Sequence, residues 1–253
     1  MSKVALVTGA ARGIGAAAVR AFEAADWDVV AVDRAADDPR LPYPLGTMAE
    51  LEALASDRVR VVQADVTEAA ALATLVGEIG ALDTAVAAAG AIAGGVPLWE
   101  MPADQLEAVL AVNLHGVIAT ARATIPALLA RPEPRQGRFI AVSSAAATRG
   151  LPLLAAYCAA KAGVSGLVRS LAMELRGTGV TANAVSPGST RSAILDESAR
   201  LYGLASVEQF ATQQPLGRLL EPEEVADLVV WLAGPSGSAV TGADLAIDGG
   251  LAV

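Results

Sequence analysis

The stretch VALVTGAARGIG, residues 4–15, decides the fold of this chain. It opens on a short apolar run that is typical of a buried strand, and a helical pattern begins at residue 13. Glycines at positions 9, 13 and 15 allow a tight turn between the two elements and let a pyrophosphate approach the backbone at the helix N-terminus. A turn that merely needs positive φ angles has the same composition, so a nucleotide site requires a second feature.

The second feature lies at the end of the next predicted strand, 28–32. Asp33 stands 20 residues after Gly13, and an acidic residue at this distance is expected to bind the ribose hydroxyls of an adenosine. Its charge repels the 2′-phosphate of NADP, although Arg12 and Arg34 flank the site and are able to offset that repulsion. We therefore predict a dinucleotide site that prefers NAD.

Asp65 and Val66 follow the third predicted strand and come next to the same site. We expect Asp65 to hold the edge of the adenine. The alternative role for Asp65 is to cap the following helix, with Thr67 as the competing cap.

The rest of the chain alternates short apolar runs with longer amphipathic segments. This alternation predicts an α/β fold, with a doubly wound parallel sheet of about seven strands and helices on both faces. One domain covers 1–253, because the Pro-rich stretch 131–135 is a surface turn and no segment has the composition of a linker. Two long irregular stretches, 34–46 and 186–222, are expected to serve ligands. The predicted strands are 3–8, 28–32, 59–63, 82–88, 138–143, 179–185 and 243–247, and the predicted helices are 13–25, 47–56, 67–79, 102–130, 155–177 and 222–233.

Composition excludes several classes of protein. Hydrophobic residues make up 54% of the 253 residues, which excludes global disorder, and the net charge of −9 argues against nucleic acid or an anionic membrane as a partner. No apolar run reaches the roughly 18 residues of a membrane span, and the N-terminus lacks the layout of a signal peptide. Cys158 is the only cysteine and His115 the only histidine, so we expect no disulfide, no metal site and a cytoplasmic location.

A second group of residues carries candidate chemistry. Tyr157 and Lys161 are four residues apart in the predicted helix 155–177 and so share one helix face. A lysine ammonium beside a phenol lowers the pKa of the phenol, which lets the tyrosine exchange a proton with an alcohol. Ser143 and Ser144, at the end of the predicted strand 138–143, are both candidates to bind the same substrate oxygen, and Ser144 lies 13 residues before Tyr157. Asn113 is able to hold a water behind the lysine. The alternative is an ordinary Tyr/Lys pair on a helix surface.

With these residues in place, the chain resembles the short-chain dehydrogenase/reductase family from end to end, which implies a Rossmann-like fold. The matching positions are Thr8, Gly9, Gly13, Gly15, Asp65, Asn113, Ser144, Tyr157, Lys161 and Pro187-Gly188. The resemblance implies a catalytic tetrad of Asn113, Ser144, Tyr157 and Lys161, nicotinamide contacts at Thr190 and Ser192, and a homotetramer with helices 102–130 and 155–177 at its interface. The cofactor-binding residues expected in all are Gly9, Arg12, Gly13, Ile14, Gly15, Asp33, Arg34, Asp65, Val66, Ala89, Gly90, Tyr157, Lys161, Pro187, Gly188, Thr190 and Ser192. One departure is Ala87-Ala88-Ala89-Gly90, where the family often has Asn-Asn-Ala-Gly. In the family those asparagines brace the sheet beneath the cofactor, so their absence affects the detailed geometry of the cofactor site.

The expected function is NAD-dependent interconversion of a secondary alcohol and a ketone by hydride transfer, with Tyr157 as general acid and base. Apolar residues in the predicted substrate loop 189–214 suit an apolar alcohol.

Residues 41–47, LPYPLGT, are similar to an insertion in mycofactocin-associated, carveol-dehydrogenase-like members. That similarity implies a lid over the adenosine, tightly held NAD, and mycofactocin as electron acceptor, whereas the alternative is an ordinary surface loop. The competing functions are a non-catalytic dinucleotide-binding regulatory protein and a sugar-nucleotide epimerase, which normally needs a larger C-terminal domain.

Overall fold

The computed structural model describes residues 2–253 and contains one parallel sheet. Within these residues seven strands follow the order β3-β2-β1-β4-β5-β6-β7. Their bounds are β1 Val4–Thr8, β2 Asp28–Asp33, β3 Val59–Gln63, β4 Thr84–Ala87, β5 Arg138–Val142, β6 Thr181–Pro187 and β7 Asp244–Ile247. The strand order reverses between β1 and β4, and the carboxyl ends of the strands at such a point form a crevice for ligands. The predicted doubly wound α/β fold is confirmed.

Helices cover both faces of this sheet. Their bounds are α1 Gly13–Ala24, α2 Met48–Glu52, α3 Ala69–Ile79, α4 Ala103–Leu110, α5 Gly116–Leu129, α6 Ala155–Glu174, α7 Ala193–Leu201 and α8 Pro222–Ala233. Helices α1 and α8 share one core with β1, in which Phe22 and Val225 are fully buried. Helices α3, α5 and α6 share the core on the opposite face, around Leu72 and Phe139.

Two predicted helices differ from the structure. The helix expected over 47–56 ends at Glu52, because the hydroxyl of Ser56 accepts hydrogen bonds from the N–H groups of Arg58 and Val59 and turns the chain into β3. The helix expected over 102–130 is interrupted by a π-helical turn, Ala111–His115. The side chain of Asn113 takes the carbonyl of Val109 as its acceptor at 2.8 Å, which accompanies the widened turn.

The helical stretch Ala103–Leu129 is long and apolar enough to cross a membrane, although the apolar runs of the sequence did not reveal it. In this fold it is a core element. Val117, Ala121 and Leu128 on this stretch are buried in the core that α3 and α6 also line.

Candidate active site

A cavity of about 590 Å³ lies at the carboxyl end of the sheet. Cavities of this size hold small ligands and cofactors. Every residue that the sequence predicted for cofactor binding lines its wall, from Gly9 in the first turn to Ser192 at the start of α7. Ser144, Tyr157 and Lys161 line the same wall, so the structure brings the two groups of candidates together.

The turn between β1 and α1 forms a cradle without side chains. Gly9 has φ +69°, and a Cβ there would lie 2.5 Å from the backbone of Ala89. Gly13 has φ +58°, and a Cβ there would project towards Ser192 across the cavity. The N-cap residue of α1, Arg12, makes no side-chain capping bond, so the N–H groups of the first helical turn are available to a phosphate. The turn therefore fits the pyrophosphate of a dinucleotide.

Two backbone donors orient the carboxylate of Asp33. Its Oδ2 accepts a hydrogen bond from the N–H of Ala11 at 3.0 Å, and its Oδ1 accepts one from the N–H of Ala35 at 2.8 Å. Each oxygen keeps a free lone pair, because a carboxylate accepts about four hydrogen bonds in all. Asp33 thus faces the cavity as a preorganised acceptor pair for two hydroxyl groups.

The two arginines beside Asp33 are engaged elsewhere. Arg12 donates from Nη2 to the carbonyl of Pro44 at 2.8 Å. Arg34 donates from Nη1 to Asp38 at 2.9 Å, and its Nε lies 3.3 Å from Asp65. Both arginines therefore already have acceptors within the protein.

Asp65 does not cap α3, whose N-cap residue is Glu68. Asp65 lines the cavity, and its Oδ1 also accepts hydrogen bonds of 2.8 Å from the N–H and the hydroxyl of Thr67 just before α3. Its position is therefore set by the helix entrance, while contact with an adenine stays a prediction.

The loop 35–46 packs across the adenosine end of the cavity. The hydroxyl of Tyr43 accepts a hydrogen bond of 3.0 Å from the N–H of Ile92, which follows β4. Leu41 is buried against Ile92, and Leu45 and Gly46 line the cavity wall. Burial raises the pKa of Tyr43 above its usual value. The loop thus connects the end of β2 with the segment after β4 by specific contacts.

Helix α6 presents Tyr157 and Lys161 on one buried face. The Lys161 Nζ lies 5.7 Å from the centre of the Tyr157 ring and donates to the carbonyl of Val142 at 2.8 Å. Ser144 follows β5, and its hydroxyl caps the short turn Ala145–Ala147 by accepting a hydrogen bond of 3.1 Å from Ala146. These three side chains come from consecutive elements that meet at the cavity.

Burial controls the ionisation of both groups on α6. It raises the pKa of Tyr157 to about 12, and Ser144 offsets part of this rise. Burial also lowers the pKa of Lys161 to about 8. The sequence led us to expect that Lys161 lowers the pKa of Tyr157, and in this structure desolvation of the phenol outweighs any such effect.

Asn113 lies behind the cavity wall. Its Nδ2 donates to the carbonyls of Ala91 at 2.7 Å and Val109 at 2.8 Å, and its Oδ1 accepts from the N–H of Ala91 at 3.3 Å. A Cβ on Gly90 would lie 3.3 Å from this oxygen, which accounts for glycine at that position. The structure therefore shows Asn113 bracing the segment after β4, and its role with a water stays a prediction.

The remaining wall of the cavity is largely apolar. Several residues predicted for the substrate loop line it, namely Ile194, Leu195, Tyr202, Leu204 and Phe210, whereas Leu201 packs outside it. Sequence analysis missed a second group between Ser144 and Tyr157, namely Arg149, Leu151, Pro152 and Leu154. Their position in the chain between two candidate catalytic residues was the signal for them.

Comparison with known proteins agrees with this architecture. A family model described as enoyl-(acyl carrier protein) reductase matches residues 9–252. The chain is 33% identical to 2-dehydro-3-deoxy-L-rhamnonate dehydrogenase (NAD(+)) of Sphingomonas sp. strain SKA58, over 98% of this chain and 94% of that protein. It is 36% identical to cis-4-hydroxycyclohexanecarboxylate dehydrogenase of Sinomonas cyclohexanicum, over 98% of this chain and 96% of that protein.

Among solved structures, carveol dehydrogenase from Mycobacterium avium in complex with NAD superimposes with a TM-score of 0.90 and 29% identity, over 98% of this chain and 97% of that one. Fold, cavity and relatives agree along the whole length of the chain. The chain belongs to the short-chain dehydrogenase/reductase family of oxidoreductases.

Proposed function

We propose that this protein interconverts a secondary alcohol and the corresponding ketone, with NAD as cofactor and Tyr157 as the proton-transfer residue. The observation that carries the proposal is the single cavity that Asp33, the glycine turn, Ser144, Tyr157 and Lys161 all line. The prediction of NAD is confirmed by the NAD-dependent rhamnonate dehydrogenase relative and the NAD complex of carveol dehydrogenase.

The chain's own residues have distinct roles in this reaction. When bound, the nicotinamide supplies or accepts the hydride. Tyr157 takes the proton from the alcohol oxygen in one direction and returns it in the other. Ser144 orients that oxygen by a hydrogen bond, and Lys161 as an ammonium favours the phenolate form and holds the nicotinamide ribose. The apolar wall excludes water and suits an apolar substrate.

The structure supports this proposal over a purely regulatory dinucleotide binder. Such a protein needs the glycine turn and Asp33 but has no use for a buried tyrosine and lysine on the substrate side of the cavity. Both Tyr157 and Lys161 are less than a tenth exposed, and burying a lysine is unfavourable unless it serves a purpose.

We further infer that NAD stays bound between turnovers and that electrons leave through mycofactocin or a related acceptor. The loop 35–46 is held at three separate points outside itself, at Arg12 through Pro44, at Arg34 through Asp38 and at Ile92 through Tyr43. A dinucleotide beneath it leaves only when several of these contacts open together. Binding energy of this kind slows dissociation more than it changes association.

The test is the nucleotide content of the purified protein. We expect about one NAD(H) per chain after gel filtration and slow turnover with free NAD alone, whereas an artificial dye acceptor supports steady oxidation. Replacement of residues 38–45 by a Gly/Ser linker should give an empty protein with ordinary exchange kinetics. Tyr43→Phe is the matched single change, because it removes only the acceptor for the Ile92 N–H and should speed release. A wild-type protein that purifies empty and reduces free NAD at ordinary rates contradicts the retention proposal and leaves the dehydrogenase function standing.

We also propose a homotetramer in the cytoplasm. The family resemblance supports the assembly, with α4, α5 and α6 at its interface, and Met173 on α6 is 68% exposed in the single chain. A single cysteine, Cys158, fits a reducing compartment.

A further inference from the structure

Asp38 is a nearly inaccessible carboxylate in the loop 35–46. Its side chain is 1% exposed and accepts from two arginines at once. Arg40 donates to it from Nε at 2.9 Å and from Nη2 at 2.7 Å, while Arg34 donates from Nη1 at 2.9 Å. The two guanidinium groups hold the pKa of Asp38 well below its usual range. A buried carboxylate in such a bond set stays ionised and keeps both arginines in place.

Arg34 is the one of these two arginines that reaches the cofactor cavity. It follows Asp33 directly, lines the cavity wall and is 32% exposed at its side chain. A guanidinium here is well placed for a 2′-phosphate on the adenosine ribose, because arginine binds phosphate through paired N–H groups. Its Nη1 donates instead to Asp38 at 2.9 Å, and its Nε lies 3.3 Å from a carboxylate oxygen of Asp65.

From this geometry we propose that Asp38 is a specificity-determining residue, which withholds Arg34 from the 2′-phosphate and so excludes NADP. Asp33 repels the phosphate directly. Asp38 pairs with Arg34, so the arginine no longer offsets the repulsion between Asp33 and the phosphate. Arg12 is withheld in a similar way by the carbonyl of Pro44 in the same loop. The loop 35–46 therefore selects the cofactor as well as covering it. This inference rests on the proposed dinucleotide function of the same cavity.

The test compares the nucleotide that each variant takes up. Full-length protein from which bound nucleotide has been removed is equilibrated with equal concentrations of NAD and NADP, and native mass spectrometry measures the share of chains that carry each one. In Asp38→Asn the Oδ1 acceptor for Arg40 is retained but the charge that holds Arg34 is lost. We expect the NADP-to-NAD ratio to rise about tenfold to 100-fold, the effect of one charge-assisted hydrogen bond.

Two further variants separate this mechanism from a loosened loop. Arg40→Met disturbs the same carboxylate but leaves Arg34 held, so the ratio should stay at the wild-type value. The double variant Asp38→Asn/Arg34→Met lacks the guanidinium that would bind the 2′-phosphate. Its NADP-to-NAD ratio should therefore return to the wild-type value. An unchanged ratio in Asp38→Asn, or an equal gain in the double variant, overturns the inference while NAD uptake still supports the proposed function. A wild-type chain that takes up neither nucleotide overturns both.

Discussion

At the scale of single residues, the proposed reaction uses two side chains whose charged forms are disfavoured by burial. Tyr157 is held as a neutral phenol with a pKa of about 12, and the pKa of Lys161 falls to about 8. Both values follow from desolvation, which penalises the charged form of an acid and of a base alike. The phenol therefore forms its phenolate only when the lysine and the bound ligands favour it.

Tyr157→Phe should reduce turnover by about 10²–10⁴-fold, because the variant lacks the proton-transfer group and keeps most of the ring packing. NAD content and thermal stability should change little. Tyr202→Phe is the matched control, since its hydroxyl lies in the same cavity but donates to the carbonyl of Pro152 at 2.7 Å. Single-turnover rates on a secondary alcohol measure the difference. Equal rates in wild type and Tyr157→Phe contradict the assignment.

The same two pKa values predict opposite pH dependences for the two directions. Alcohol oxidation needs the phenolate, whose fraction rises tenfold per pH unit below about 12, together with the charged form of Lys161. The rate should therefore rise with pH up to about 8 and then level, because the lysine loses its charge there. Ketone reduction needs the neutral phenol and the charged form of Lys161. Its rate should be constant up to pH about 8 and fall above it, because the lysine loses its charge there while the phenol stays neutral. A flat oxidation profile below pH 8 would show that Tyr157 does not accept the proton.

At the scale of elements, the π-helical turn Ala111–His115 joins the long central helices to the cavity floor. The side chain of Asn113 bonds both backbone groups of Ala91 and thereby ties the turn to the segment after β4. That segment has lost the asparagines that often stand there in the family. Asn113 therefore holds the backbone of Ala91, next to the predicted cofactor-binding residue Gly90, and is also a member of the predicted tetrad.

Asn113→Ala should lower the free energy of unfolding by about 1–3 kcal/mol for each buried backbone group left without a partner. Urea denaturation with an unchanged m-value measures the loss. Thr124→Val is the matched control on the same helical stretch, because its hydroxyl only bonds the carbonyl of Thr120 one turn earlier, at 2.7 Å. If both changes lower the free energy of unfolding equally, the hydrogen bonds between Asn113 and Ala91 contribute no more to stability than the single bond of Thr124.

At the scale of the whole molecule, the reversal of strand order gathers the candidate residues at the carboxyl ends of the strands. The cofactor side is built from the ends of β1, β2 and β3, and the catalytic side from β5, α6 and the segment after β6. Two loops that are distant in the chain, 35–46 and the substrate loop, meet over this edge, since Tyr43 and Ile194 pack in one cluster.

For the assembly, size-exclusion chromatography with light scattering should give about four times the chain mass of 25.4 kDa. Met173→Glu places a charge on the exposed face of α6 and should shift the mass towards smaller species. Trp99→Gln is the control, because Trp99 is 84% exposed and lies outside α4, α5 and α6. A monomeric wild type contradicts the proposed tetramer.

The sequence by itself determined the strands, the glycine turn, Asp33 and the i, i+4 pair on α6. These features are local, because a short apolar run, a positive φ angle and a helical spacing each act within a few residues. The sequence did not predict the interruption of the long central helix. The π-helical turn contains Asn113, and this side chain also bonds Ala91, 22 positions away in the chain.

Only the tertiary structure decided what the charged groups do. In the sequence Arg34 flanks the predicted ribose site, and only folding brings Asp65 to within 3.3 Å of its Nε. The sequence predicts that Tyr43 lies in a lid, but the partner of its hydroxyl, the N–H of Ile92, follows only from the fold. The pKa of Tyr157 rises instead of falling because burial is a property of the packed molecule. The physical reason is common to all three: desolvation and ion pairing depend on neighbours in space, and the spacing of residues along the chain specifies neighbours only within one or two turns of a helix.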